Sequence, residues 1–146
     1  MSNENLNSED ILFYNPISTR KILIVCKGNT CRSIIFHTIM QEYKGVNTEL
    51  FSAGIDVLNK NIEENTKKIL ENNNLNPIKT ITNKIYEYKD IYFDDLIIME
   101  DKISIPEYIN YKRMIRLNIE DPFDKDLIFY DKVFKEIKKE VLNITL

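Results

Sequence analysis

The sequence predicts an α/β fold: a three-layer α/β/α arrangement built on a four-stranded parallel sheet. Three observations predict it. Segments with strand character alternate with segments of helical periodicity, and that alternation builds a parallel sheet covered on both faces. Two of the candidate strands carry the apolar runs Ile22-Leu23-Ile24-Val25 and Leu96-Ile97-Ile98-Met99, which suit strands buried within a sheet. The chain has 146 residues, the size of one domain. At this length folding buries about two-thirds of the unfolded surface without help from disulfides or metals.

Residues 1 to about 10 are polar, acidic and aperiodic, and they are expected to form a mobile tail. Ile11-Leu12-Phe13-Tyr14 is apolar enough to pack, and Asn15-Pro16 suggests a turn before the first main strand. Residues 1–20 therefore form a partly mobile N-terminal extension with no assigned role, and residues 21–146 form a single domain. The first strand is expected over Lys21 to Lys27. Ile34, Ile35, Thr38 and Ile39 then recur at helical spacing as far as Gly45, a candidate C-cap. Glu49 to Ser52 suits a short second strand. Ile62 to Leu75 has the pattern of an amphipathic helix closed by Asn72-Asn73-Asn74 and Pro77. Asp95 to Met99 is the third strand, Pro106 fits the first turn of a short helix, and Arg113 to Ile119 is the fourth strand. A final helix runs from Leu127 to Leu142, with Ile128, Val133, Phe134, Ile137, Val141 and Leu142 as its apolar positions.

The net charge is −3, which argues against wholesale nucleic-acid binding, where a basic face is needed. No apolar stretch is long enough to cross a membrane or resembles a secretory leader. The two cysteines lie five residues apart in one loop. The simplest home is a reducing cytoplasm, and lysine clusters such as Lys138-Lys139 suit a solvated face.

The segment Cys26-Lys27-Gly28-Asn29-Thr30-Cys31-Arg32-Ser33 carries the chemistry. It follows a buried strand and opens a helix. Gly28 is one of three glycines in the chain, and Gly28 and Asn29 both tolerate the positive φ angles that let successive N–H groups point inward. A helix N-terminus beyond such a loop adds unpaired N–H groups and the positive end of a dipole. Phosphate is the natural guest of such a cradle, held by Lys27 to Ser33. Arg32 can grip two of its oxygens in a fork, and Cys26 sits at the floor as a thiol whose ionised form these surroundings favour.

These residues resemble the low-molecular-weight protein tyrosine phosphatases, whose signature Val-Cys-x-Gly-Asn-x-Cys-Arg-Ser is matched from Val25 to Ser33. The resemblance continues through Phe51-Ser52-Ala53-Gly54, Asp94-Asp95-Leu96-Ile97-Ile98-Met99 and Asp121-Pro122-Phe123, covering about residues 20 to 145. It implies hydrolysis of a phosphorylated protein through a phosphocysteine, with no metal and no cofactor. Cys26 would attack phosphorus while Arg32 and the loop N–H groups hold the equatorial oxygens. Asp121 would protonate the leaving oxygen and then activate water, help typically worth about 10²–10⁴ in rate. Phe123 would wall the substrate pocket. The resemblance gives Asn29 the task of holding the loop's shape and Ser33 that of donating a hydrogen bond to the sulfur. Cys31 is close enough in sequence to form a protective disulfide with Cys26, or to be merely buried.

The chain also departs from the family. Ser33-Ile34-Ile35-Phe36-His37 replaces the usual Ser-Pro-Met-Ala-Glu, and the segment after Gly54 is short and lacks glycine. A histidine that often braces the loop asparagine is missing around Asn76 to Lys79. His37, the only histidine, fits a non-catalytic helix residue. These departures bear on substrate choice more than on chemistry. Thr30 keeps a second activity open, because bacterial protein-arginine phosphatases look like Cys-x-Gly-Asn-Thr-Cys-Arg-Ser with a later Asp-Pro-Phe. A hydroxyl there would order the attack on a phosphoguanidinium. Arsenate reduction is a third possibility, one that needs an external thiol because Asp90 to Ile105 contains no cysteine. The fourth is an idle phosphate-binding module, against which Cys26, Arg32, Ser33 and Asp121 together argue. Oligomeric state is not legible in the sequence.

Overall fold

The computed structural model describes residues 19–145. The expected tail and the apolar Ile11 to Tyr14 segment lie outside them. The elements are β1 (Arg20–Cys26), α1 (Arg32–Tyr43), β2 (Thr48–Gly54), α2 (Glu64–Asn72), a 3₁₀ helix (Ile85–Tyr88), β3 (Tyr92–Ile98), β4 (Asn110–Arg116) and α3 (Leu127–Thr145). The four strands form one parallel sheet in the order β2-β1-β3-β4. Cys26 pairs with Gly54 and Val25 with Ile98, so three strands finish side by side at one edge. A parallel sheet gathers its ligands at this carboxyl edge.

Strand alternation divides the core. Ile22, Ile24, Cys26, Ile97 and Met99 face α1, α2 and α3, whereas Leu23, Val25, Leu96 and Ile98 face the opposite side. Each buried Ile, Leu, Val or Met side chain contributes about 1.5–3 kcal/mol. Every residue of α1 from Arg32 to Met40 is buried, which clamps the loop before it. The opposite face is covered by a thinner layer, the 3₁₀ helix through Ile85 together with Ile103 and Ile109 of the loop before β4. The α/β class expected from the sequence is the observed one.

Several details differ from expectation. Gly45 does not end α1 in a left-handed turn: the helix stops at Tyr43, Lys44 is extended, and no described glycine has a positive φ. The expected start of α2 at Ile62 is taken up by other bonds, since Ile62 N donates to Thr80 O (3.0 Å) and Thr82 N to Lys60 O (2.8 Å). The asparagine cluster does close α2, with Asn74 left-handed at φ 61° and Leu75 N bonded to Leu70 O at 2.9 Å. Pro106 starts a single turn, closed by Ile109 N on Pro106 O at 3.1 Å, and no helix. Burial of Ile103 and Ile109 ties that segment down, and Arg116 Nη1 donates to Asp101 O (3.1 Å) and Ile103 O (2.9 Å). β4 begins at Asn110, three residues earlier than expected, because its exposed Asn110, Lys112 and Arg113 hide a strand that lies at the sheet edge. Beyond β4, Leu117 N bonds Ile98 O (2.8 Å) and Ile119 N bonds Met99 O (2.9 Å), which carries the chain to Asp121 at the carboxyl edge.

Candidate active site

Cys26 ends β1 and is almost wholly buried. The loop behind it turns on Asn29, whose φ is 57°. Gly28, expected to share that conformation, does not have a positive φ. Left-handed backbone costs a non-glycine residue roughly 1–2 kcal/mol, and three hydrogen bonds offset it. Asn29 N donates to Cys26 Sγ (3.2 Å), Asn29 Nδ2 donates to Ser33 Oγ (2.6 Å), and Asn29 Oδ1 accepts from Asn83 N (2.9 Å). The Asn83 N–H fixes which end of the Asn29 amide is oxygen. Nδ2 must then face Ser33, whose own hydroxyl proton is free to point at Cys26 Sγ, 3.0 Å away. The missing loop-bracing histidine is thus replaced by a backbone N–H.

The glycine that the loop most needs is Gly54 on the neighbouring strand. A Cβ there would lie 2.7 Å from Val57 Cγ2 and 2.8 Å from both Gly28 C and Lys27 O. At Gly28 itself the nearest atom to such a Cβ would be Thr30 Oγ1 at 3.6 Å, an ordinary contact. Ile55 N and Asp56 N then bond Cys26 O (3.2 Å) and Lys27 O (2.8 Å), and Thr66 Oγ1 donates to Thr30 O (2.8 Å). The loop carbonyls are held outward. The N–H groups of Gly28, Thr30, Cys31 and Arg32 have no protein acceptor among the described residues.

Arg32 opens α1 and is 3 % exposed. Its Nη1 donates to Ile119 O (2.9 Å) and its Nη2 to Glu100 Oε1 (2.8 Å), with Asp121 Oδ2 at 3.5 Å. Its Nε is the one buried side-chain nitrogen or oxygen without a partner among the described residues. Asp121 is half exposed, and its Oδ1 accepts from Phe123 N at 3.1 Å.

A cleft of about 150 Å³ gathers Cys26, Lys27, Gly28, Thr30, Cys31, Arg32, Asp121 and Phe123. Asn29 and Ser33 are buried and do not line it. Asp56, Leu58 and Asn59 also line it and were not anticipated, nor was Glu100 on Arg32. Glu100 had a signal, since it directly follows the apolar third strand at the ligand-binding edge. Asp56 to Asn59 had none beyond following Gly54.

Both cysteines are free thiols. Cys31 Sγ lies 3.2 Å from Tyr130 Oη and 3.5 Å from Thr30 Oγ1. Burial pushes the Cys31 thiol up to about 11, against the hydrogen bonds it receives, so it stays protonated at neutral pH. His37 is outside the cleft lining, with Nδ1 2.9 Å from Ser52 Oγ. Burial, with the Lys79 charge adding to it, lowers His37 to about 3 and keeps it neutral.

The family model described as low molecular weight phosphotyrosine protein phosphatase matches residues 21–145. The chain belongs to this family. Solved structures with the same fold include an arsenate reductase from Archaeoglobus fulgidus DSM 4304, at 25% identity and TM-score 0.70, covering 85% of this chain and 98% of that one. The tyrosine phosphatase Wzb from Escherichia coli K30, bound to sulphate, has 22% identity and TM-score 0.71 over 87% of this chain and 96% of its own. The YwlE arginine phosphatase from Geobacillus stearothermophilus has 21% identity and TM-score 0.72, covering 86% and 90%. No curated protein sequence matches the chain. Membership in the low-molecular-weight phosphatase family sets a cysteine-based phosphatase class and a phosphorylated substrate. No helix among the described residues is long and apolar enough to cross a membrane.

Proposed function

We propose that the protein removes phosphate from phosphotyrosine in proteins through a phosphocysteine. Arg32 and Cys26 line one cleft, and the unpartnered Arg32 Nε, together with the N–H groups of Gly28, Thr30, Cys31 and Arg32 that also lack acceptors, carries this reading. Buried donors without acceptors are costly, and a phosphoryl group in the cleft satisfies them together. The Cys26 thiolate attacks phosphorus, a P–S bond forms, and the P–O bond to the leaving group breaks. Arg32 and the loop N–H groups hold the three equatorial oxygens as charge builds on them. Asp121 gives its proton to the departing oxygen, then takes one from the water that attacks the phosphocysteine and expels the thiolate. Ser33 supports the sulfur in both steps. Leu58 and Phe123 are the apolar walls against which a tyrosine ring would lie. A phosphorylated protein is the partner, and a reducing cytoplasm keeps Cys26 active.

One observation favours a second reading, protein-arginine phosphatase. Thr30 lines the cleft, and the carboxylates of Asp56 and Asp121 line it too, which suits a cationic guanidinium. Arsenate reduction would demand an external thiol, because the Cys31 thiol is buried, protonated and paired with Tyr130. Hydrolysis of a phosphotyrosine peptide and a phosphoarginine peptide by the reduced protein, with Cys26→Ser as control, separates these readings. Preference for phosphotyrosine is expected. Preference for phosphoarginine would install the second reading, and full turnover by Cys26→Ser would overturn both.

A further inference from the structure

Next to the nucleophile loop, among residues that do not line the cleft, a second set of polar groups converges on Asn83. Its backbone N–H donates to Asn29 Oδ1 (2.9 Å) and its carbonyl accepts from Gly54 N (2.9 Å). Its side chain is held at both ends. Asn83 Oδ1 accepts from Lys79 Nζ, and Asn83 Nδ2 donates to Glu87 Oε1 at 2.9 Å. Lys79 Nζ also donates to Ser52 O on β2 at 2.8 Å. Glu87 is anchored in turn, its Oε2 accepting from Lys84 N at 2.8 Å where the 3₁₀ helix begins.

We propose that Lys79, acting through Asn83, is a positioning residue for the Cys26 nucleophile. The connection is unbroken: Lys79 to Asn83, Asn83 to Asn29, Asn29 to Ser33, Ser33 to Cys26 Sγ. The clamp on Asn83 sets where its N–H points. That N–H sets the orientation of the Asn29 amide, and the amide sets the direction of the Ser33 proton. Without the clamp Asn29 loses one of the three bonds that offset its left-handed backbone, and Ser33 is no longer constrained to donate to sulfur. The inference rests on Cys26 being the nucleophile of the proposed phosphatase.

The polar and titratable groups around Lys79 come from four elements. His37 of α1 is neutral, Glu87 of the 3₁₀ helix is negative with Lys84 beside it, and the Cys26 sulfur lies at the end of β1. Ser52 of β2 supplies its carbonyl. Burial pushes the Lys79 ammonium down to about 8, opposed by Glu87 and Cys26. It is charged at neutral pH and begins to lose that charge just above it.

The test uses the whole chain with Lys79→Met, Lys79→Arg and Asn83→Ala, each checked for cooperative thermal unfolding. Two quantities are read: kcat and KM on a phosphotyrosine peptide, and the rate of Cys26 alkylation by iodoacetamide, mapped by mass spectrometry to separate it from Cys31. In Lys79→Met, kcat is expected to fall about tenfold, the loss from one charge-assisted hydrogen bond, with KM changed less than about twofold. Cys26 alkylation slows in parallel, Asn83→Ala behaves alike, and Lys79→Arg recovers most of both quantities. On the alkaline side, Lys79→Arg is expected to hold its kcat to higher pH than the natural protein. Folded Lys79→Met and Asn83→Ala proteins with natural kcat and alkylation rates would overturn the proposal. So would a loss of thermal stability alone. Alkylation reports on the sulfur without turnover, so failure of the phosphatase reading and failure of this one are distinguishable.

Discussion

The two sides of the cleft are built in opposite ways. At the floor, Cys26 and Arg32, with Asn29 and Ser33 buried beneath them, are all 3 % exposed or less and are joined by hydrogen bonds to β2, α1 and the segment before the 3₁₀ helix. On the rim, Phe123 is 39% exposed and Leu58 is 80% exposed, and Asp121 is tied to its neighbours by a backbone N–H and a long contact with Arg32. The difference separates two tasks. Stabilising a transferring phosphoryl group requires donors fixed before the reaction, so that no reorganisation is spent during it. Recognising the leaving group requires only a shaped surface, which an exposed loop supplies and can vary. Changes to the floor are therefore expected to strike kcat, and changes to the rim mostly KM, with Asp121, the proposed proton donor, the exception.

The largest test of that division is Asp121→Asn. It removes the proposed acid while keeping the shape, and kcat on a phosphotyrosine peptide is expected to fall about 10²–10⁴-fold with little change in KM. A comparably large rise in KM would make Asp121 part of the binding surface. Next comes a pair of glycines. Gly54→Ala forces a methyl against backbone atoms at 2.8 Å. It should lower kcat and thermal stability together, by about 1–3 kcal/mol in stability. Gly28→Ala, whose Cβ would make only an ordinary contact with Thr30 Oγ1 at 3.6 Å, should cost much less; the reverse ranking in thermal unfolding would show that the loop is not held from β2. A smaller effect is expected from Phe123→Ala, with KM rising several-fold and kcat nearly constant. If its kcat fell as far as that of Gly54→Ala, the division between floor and rim would fail.

The smallest effect concerns stability against pH. His37 titrates at about 3 in the folded protein and near 6.5 when exposed. Between these values the unfolded chain binds more protons, so the stability that His37 supplies is complete above about 6.5 and is lost as pH falls toward 3. Melting temperature measured from pH 7 to 4 should decline less steeply in His37→Gln than in the natural protein. Parallel curves would remove His37 from the acid sensitivity of the fold.

Much of this was legible in the sequence because it is local. A strand, a tight turn and a helix N-terminus between Ile22 and Ser33 are contiguous, so residue order alone carries the cradle. Asp121-Pro122-Phe123 was legible through its resemblance to the family, although nothing near it in sequence explains why Asp121 and Phe123 line the same cleft as Cys26. The apolar runs Leu23 to Val25 and Leu96 to Ile98 declare buried parallel strands, and β4 is blurred because an edge strand keeps charged residues on its open side. The short helix expected at Pro106 failed because burial of Ile103 and Ile109, together with the Arg116 guanidinium on two loop carbonyls, outweighs a local preference.

By itself the sequence determined the alternation of strands and helices, and it pointed to the loop of Cys26, Arg32 and Ser33 and to the late Asp121. The tertiary structure decided which glycine the loop depends on, which residue turns left-handed, what holds Arg32, and which group braces Asn29. The physical reason is distance along the chain. Backbone preference and apolar periodicity act over a few residues, whereas the bonds from Asn83 to Asn29, from Arg32 to Glu100 and Ile119, and the approach of Gly54 to Gly28 join segments that only the folded sheet brings together.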